Sequence, residues 1–343
     1  MSFMTTWEGN DYWLSPTGKS AVAYRVLNGI ALTCTGPFGD PAEWMDDLTG
    51  FTQYCVDVYK RQVFYSVHAE QRDALVSAGW NALDVGTEMV IDPAAWQTRG
   101  KKWQDVRTAI NKAKRDGITD VQSTFLESPL EVREQIEDIS EEWAQLKALP
   151  EMKFTLGGVE ELRDPRVRLL YAVDADGRVL GVTSWLPTWR DGRVVGWTLD
   201  FMRHRTDSPN GIMEFLIARM AERLRDEGAA DPERAAEFMS LSAAPLAGMN
   251  PERDNAGEGG APAGEGTQVL QHALQIVADW MEPAYGFHSL FNFKRKFQPT
   301  EAPVYVCYPD PAALPQIGLA VVRAYVPSVT PAEVAGMLST LRS

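Results

Sequence analysis

The sequence predicts an α+β chain in which one order of elements is laid down twice. Two observations carry that reading. Asn28-Gly29 in the first half, and Asp176-Gly177 and Asp191-Gly192 in the second, separate short apolar runs, the signature of tight antiparallel hairpins. In each half the hairpin region is followed by a helical pattern, a strand, a second helical pattern and a closing strand. At 343 residues and 45% apolar content, the chain has material for two modest cores.

In the first half, Val22–Leu27 and Ile30–Cys34 read as strands joined by Asn28-Gly29. A helix follows Pro41 to about Tyr54, then a strand at Val63–His68, a helix at Glu70–Ala78 and a strand at Asp84–Ile91. Lys102–Asp116 reads as a basic helix stopped by Gly117, Val121–Leu126 as a strand, and Pro129–Ala148 as a long helix. In the second half, Val167–Asp174, Val179–Leu186 and Arg193–Met202 read as strands. A helix follows over Gly211–Glu227, with Ile212, Phe215, Leu216, Met220 and Leu224 at helical spacing. Phe238–Ala243 is a strand, Thr267–Trp280 a helix and Val304–Tyr308 a strand. This order resembles the acetyltransferase-type (GNAT) fold, and its repetition predicts two tandem GNAT-like domains, residues 1–155 and 156–343. Asn250–Gly266 is Gly, Glu, Ala and Pro with little to bury, which predicts a disordered insert in the second.

Composition narrows the function classes. The net charge of −14 argues against a wholly basic nucleic-acid binder. Yet Arg99–Arg115 holds seven Lys or Arg against one acid, Asp105, and Lys294-Arg-Lys296 forms a second knot, so phosphate can be gripped locally. Three scattered cysteines, Cys34, Cys55 and Cys307, lack metal or redox spacing and fit a reducing compartment. None of the four histidines has metal-ligand spacing, so no metal site is expected. No apolar run is long enough for a membrane span. Asp57-Val-Tyr-Lys-Arg-Gln62 resembles the translation of a transposon-derived library adaptor and is assigned no function.

The chemistry concentrates at Thr198-Leu-Asp-Phe-Met-Arg203, where an apolar strand ends in Asp200 and Arg203. A carboxylate can orient or deprotonate an attacking hydroxyl, and a guanidinium can hold phosphate or carboxylate through paired donors. A structural ion pair is the plainer alternative for this spacing. Asn210-Gly211 opens the following helix, but one glycine stands where a CoA pyrophosphate loop needs several, which counts against acetyl-CoA. Phe293-Lys-Arg-Lys-Phe297, read as a strand, places Lys294 and Lys296 on one face. Ser240 and Ser242 have no base evident in sequence, which argues against a serine nucleophile.

These motifs together, with Trp7-x-Gly-Asn10, Arg107-x-x-x-Asn-Lys-Ala-Lys-Arg-Asp-Gly117, Trp143-x-x-x-Lys147, Glu151-x-x-Phe-Thr-Leu-Gly157, Ala244-Pro-Leu246 and Phe293-Lys-x-Lys-Phe297-x-Pro299, resemble the catalytic domain of the lysylphosphatidylglycerol synthases. The resemblance covers nearly the whole chain. It implies an aminoacyl-tRNA-dependent transferase that moves lysyl or alanyl onto a hydroxyl of phosphatidylglycerol, without a cofactor. Its partners would be charged tRNA and anionic phospholipid at the inner face of the cell membrane. Asp200 and Arg203 are the implied catalytic pair. Lys294 and Lys296 are the implied substrate contacts, to which the reading of the residues adds Gly211, Ser240, Lys112 and Arg115. The chain departs from the family after Pro299, where the usual Trp-Glu-Pro-Arg-Tyr is Glu301-Ala-Pro-Val-Tyr305. A small-molecule acceptor, a CoA-dependent acetyltransferase, a peptidoglycan-bridge transferase and a non-catalytic binding module are the rival readings.

Overall fold

A computed structural model describes residues 2–58, 61–146, 151–245 and 287–327. The first half supplies β1 (Asp11–Leu14), β2 (Ser20–Leu27), β3 (Ile30–Thr33), β4 (Phe38–Gly39), α1 (Trp44–Asp57), β5 (Arg61–Val67), α2 (Ala69–Ser77) and β6 (Asn81–Ile91). Next come α3 (Gln104–Arg115), β7 (Thr119–Ser123) and α4 (Leu130–Gln145). The second half supplies β8 (Arg168–Val173), β9 (Val179–Arg190), β10 (Arg193–His204), α5 (Ile212–Ala230), β11 (Phe238–Pro245), α6 (Phe287–Arg295), β12 (Thr300–Tyr308) and α7 (Leu314–Tyr325).

The strands share one sheet in the order β1-β2-β3-β5-β12-β6-β11-β10-β9-β8-β7, with β4 beside β2. The repeat anticipated from the turns is visible in this order. The β2–β3 hairpin leads through α1 to β5, parallel to β3, and the β9–β10 hairpin leads through α5 to β11, parallel to β10. This step, taken twice, makes the fold tandem GNAT-like. Asn28 and Gly29 both adopt positive φ (52° and 77°), as do Asp191 and Gly192 (51° and 75°), the backbone that a two-residue hairpin needs.

The closing strands are exchanged between the halves. β12 lies between β5 and β6, and β6 lies between β12 and β11, all antiparallel. In addition, β7 pairs with β8, and α3 packs on α5 through Val106, Ala109 and Ala113. Elements before and after residue 155 therefore interleave in one sheet. The helix α5 is buried along nearly its whole length, and all five of its periodic apolar residues lie in the core. Each such side chain removed from water stabilises the fold by roughly 1.5–3 kcal/mol.

One expectation fails. Phe293–Phe297 is not a strand: α6 runs to Arg295 and a turn follows. Phe293 and Phe297 stand four residues apart, the spacing of one helical face, and their rings meet edge to face at 5.6 Å. Lys294 and Lys296 consequently point apart. The expected insert Asn250–Gly266 and the expected helix Thr267–Trp280 lie outside the described residues. Of the adaptor-like segment, Asp57 ends α1, and Arg61 and Gln62 pair with Ile30 and Ala31 in the sheet. Among the described residues no helix is long and apolar enough to cross a membrane.

Candidate active site

The parallel strands β10 and β11 pair only from Gly196–Thr198 to Phe238–Ser240. Beyond that they part: β10 keeps β9 as its partner through Arg203, with a bulge between Leu199 and Met202 that holds Asp200, while β11 keeps β6, with a bulge between Ser240 and Ala243. The opening is a cavity of about 220 Å³ whose polar lining includes Asp200, Arg203, Glu151, Ser242 and Lys294.

Asp200 stands two residues past the last parallel pair. Its Oδ1 accepts the Gly157 N–H at 2.9 Å, while its Oδ2 is closed off from water and has no hydrogen-bond partner. Burial pushes its carboxyl up to about 7; the Gly157 N–H and Arg203 pull the other way, and Glu161 and Glu151 add to the rise. A Cβ at residue 157 would fall on Oδ2, so any other residue there would push the Asp200 carboxylate aside. The result is a carboxyl able to take or give a proton near neutral pH.

Arg203 is buried, with 5% of its surface exposed. Its guanidinium donates to Ser140 O (3.3 Å), to Ser140 Oγ and to Glu151 Oε1, and lies over the rings of Trp143 (4.2 Å) and Phe201 (4.3 Å). It thus grips a carboxylate of the protein itself, and its ion pair is with Glu151 rather than with Asp200. Its geometric effect is to fix the strap from Glu151 to Gly157 against β10.

Lys294 enters the cavity from α6 with 4% of its surface exposed. Its Nζ donates to the carbonyls of Ser242 (3.4 Å) and Ala243 (3.2 Å). Burial lowers its ammonium to about 7, against the pull of Glu88. Lys296 instead pairs with Glu214 of α5 at 2.8 Å. Ser240 is fully buried behind the cavity wall, where its Oγ donates to Glu88 Oε1 at 2.6 Å. Gly211 caps α5 at φ 96° and abuts Ala109, so its place is at the α3–α5 contact. Lys112 reaches the Asn210 carbonyl at 3.4 Å, and the exposed Arg115 lies near Asp116. Of the expected site residues, the fold gathers Asp200, Arg203 and Lys294 in one cavity, sets Ser240 behind its wall, and leaves Lys296, Gly211, Lys112 and Arg115 outside.

Three lining residues, Trp143, Glu151 and Gly157, were legible only as parts of the joint between halves; their pairing with Arg203 and Asp200 spans 43 to 60 positions of sequence. Glu88 gave no local signal.

The sequence matches the family described as phosphatidylglycerol lysyltransferase, C-terminal, over residues 1–308. The chain belongs to that family. It is 38% identical over 329 residues to an uncharacterised protein of Corynebacterium glutamicum, covering 95% of this chain and 39% of that protein. It is 26% identical over 326 residues to the lysylphosphatidylglycerol biosynthesis bifunctional protein LysX of Mycobacterium ulcerans, covering 94% of this chain and 28% of LysX. The chain thus spans less than half the length of either relative. Its fold matches the crystal structure of the C-terminal domain of a protein assigned as a lysylphosphatidylglycerol synthetase in Agrobacterium fabrum. That match has a TM-score of 0.76 at 20% identity and covers 96% of this chain and 93% of that one.

Proposed function

We propose that the β10–β11 cavity transfers an aminoacyl group, lysyl or alanyl, from aminoacyl-tRNA to a hydroxyl of phosphatidylglycerol at the cytoplasmic face of the membrane. The observation that carries the reading is the buried, unpartnered Oδ2 of Asp200 in a cavity that the buried Lys294 also lines, in a chain of this family. The acceptor hydroxyl oxygen attacks the ester carbonyl and passes its proton to Asp200 Oδ2. As the bond to the ribose oxygen breaks, that oxygen takes the proton back, so the carboxylate is regenerated. Lys294 supplies positive charge where the tetrahedral oxyanion develops. The donor ester is already activated, so the reaction calls for neither a cofactor nor a covalent enzyme intermediate. Ser240 is committed to Glu88, and burial pushes the Cys34 and Cys307 thiols up to about 12, which leaves these groups poor nucleophiles.

The exposed side chains of α3 and its approach, among them Arg99, Lys101, Lys114 and Arg115, form a cationic strip on a chain of net charge −14. Their apolar counterparts Val106, Ala109 and Ala113 are spent on α5, leaving a polar face suited to the phosphates of the donor tRNA.

The test incubates the protein with a panel of tRNAs charged with radiolabelled amino acids and with vesicles containing phosphatidylglycerol. Label from lysyl- or alanyl-tRNA is expected in the organic extract. Label that leaves tRNA for a water-soluble product would move the acceptor to a small molecule, and label that stays on tRNA would reject the reading.

A further inference from the structure

Behind the cavity wall runs a chain of polar contacts that starts in the other half of the sequence. Glu88 lies on β6, the exchanged strand, in register with Ala302 of β12 on one side and Ala243 of β11 on the other. It is buried, with 6% of its surface exposed. One carboxylate oxygen, Oε1, accepts the Ser240 hydroxyl at 2.6 Å, and the other lies 3.3 Å from Nε2 of the half-exposed His68. Ser240 Oγ in turn accepts the Ser242 N–H at 3.0 Å. Ser242 adopts φ 66°, in the left-handed region that a residue with a side chain occupies only when its surroundings hold it there. This twisted residue and the next present the two carbonyls that receive Lys294.

We propose that Glu88 is a positioning residue for the cavity: through Ser240 it holds the left-handed turn at Ser242, and with its charge it seats the Lys294 ammonium. A strand of the first half thereby controls a charge inside the cavity. A buried carboxylate is costly unless its oxygens are engaged, and both oxygens of Glu88 are. Lys294 shares the cavity lining with Asp200 on β10 and with Glu151 and Arg203. The cations beside it on its own segment, Arg295 and Lys296, are occupied by Glu301 and Glu214. Removing the Glu88 charge withdraws attraction from Lys294 and moves its titration to lower pH.

The inference rests on the proposed transferase reading for its kinetic arm only. Three variants separate its parts: Glu88→Gln keeps an acceptor for Ser240 without the charge, Ser240→Ala keeps the charge without the link, and Glu88→Ala loses both. The titration of Lys294, followed by competitive chemical labelling and mass spectrometry, needs no substrate. Wild-type protein should show a midpoint near 7, and Glu88→Gln should show a lower one. In the lipid-transfer assay, Ser240→Ala and Glu88→Ala should lower kcat by roughly a hundredfold, the scale of a small misplacement of reacting groups. KM for charged tRNA should change little. A purely structural role would lower Tm while leaving the Lys294 midpoint and kcat in place, and that result would overturn the proposal. If Glu88→Ala fails to fold, the other two variants decide. If the wild type transfers nothing, the titration arm still decides, and the functional reading fails separately.

Discussion

The two halves take the same hairpin–helix–parallel strand step, yet only the second leaves a cavity lined by charged side chains there. In the first half, β3 and β5 pair through Leu32 and Val63; in the second, β10 and β11 pair through Thr198 and Ser240. Two residues past the last pair stands Cys34 in one and Asp200 in the other. Each later strand then bulges at a left-handed serine, Ser66 (φ 60°) in β5 and Ser242 (φ 66°) in β11. What differs is the filling. In the first half the Thr33 hydroxyl accepts the Tyr65 N–H at 3.2 Å, tying the strands together where the second half lets them part. The rings of Phe154 and Tyr325 pack against Tyr65 at 5.8 Å and 6.1 Å, with Cys34 in the same buried cluster. The parting of strands is a property of the fold, whereas an empty cavity depends on which side chains fill it. A filled cleft stabilises the sheet; an empty one with a buried carboxyl costs stability and gains a reactive group.

The sharpest way to break the comparison is Gly157→Ala. The new methyl collides with Asp200 Oδ2, so transfer should fall by roughly a hundredfold, while far-ultraviolet circular dichroism stays unchanged. Near-normal turnover would mean that the Gly157–Asp200 approach is incidental.

A second prediction concerns stability. Asp200 titrates near 7 in the folded chain and near the ordinary 3.8 unfolded. Between those values the folded state holds a proton that the unfolded state has lost, so stability falls as pH rises, and the penalty is complete above about 7. Asparagine carries no such penalty. Asp200→Asn should therefore be more stable than wild type at pH 8 by roughly 2–4 kcal/mol, and the advantage should vanish near pH 3. Denaturant titrations that show no pH-dependent difference would deny that the carboxyl is buried and strained.

A third and smaller effect is electrostatic. Replacing Lys114 and Arg115 with Ala should flatten the log-affinity for tRNA against log-salt by roughly 0.7–0.9 for each phosphate no longer neutralised. An unchanged slope would make the α3 strip an ordinary solvated face. Smallest of all, Tyr65→Phe removes a hydroxyl that lies 3.2 Å from Tyr325 Oη in the filled cleft. It should cost about 1 kcal/mol of stability and leave transfer within about twofold. A large loss of activity would show that the filled cleft does more than support.

The repeated step and part of the candidate site were legible in sequence, the contrast between the two clefts was not, and the reason is physical. The turn dipeptides fixed the hairpins, because few residues other than Asn, Asp and Gly tolerate the positive φ found at Asn28, Gly29, Asp191 and Gly192. The spacing of Ile212, Phe215, Leu216, Met220 and Leu224 marked α5, and Asp200 and Arg203, read together in the sequence, lie together in the candidate cavity, on a strand that continues to His204. The exchange of β6 and β12 was invisible, since each strand would satisfy the same hydrogen bonds beside either partner. Phe293 to Phe297 fits a period of two as well as a period of four, and the apolar spacing alone does not choose between them. Glu88 and Gly157 matter through partners 152 and 43 positions away, which no local pattern encodes. Arg203 was legible as a charged site residue, but not that Glu151 would claim it.

The measurement that bears most directly on the central claim compares Asp200→Asn with Cys34→Ala, its counterpart in the filled cleft, for transfer of radiolabel from charged tRNA into phosphatidylglycerol. Asp200→Asn should lose about a hundredfold to ten-thousandfold in rate, the usual cost of removing a positioned acid–base group, and Cys34→Ala should transfer at close to the wild-type rate. Equal activity in the two variants, or a loss confined to Cys34→Ala, would contradict the assignment of the chemistry to the β10–β11 cavity.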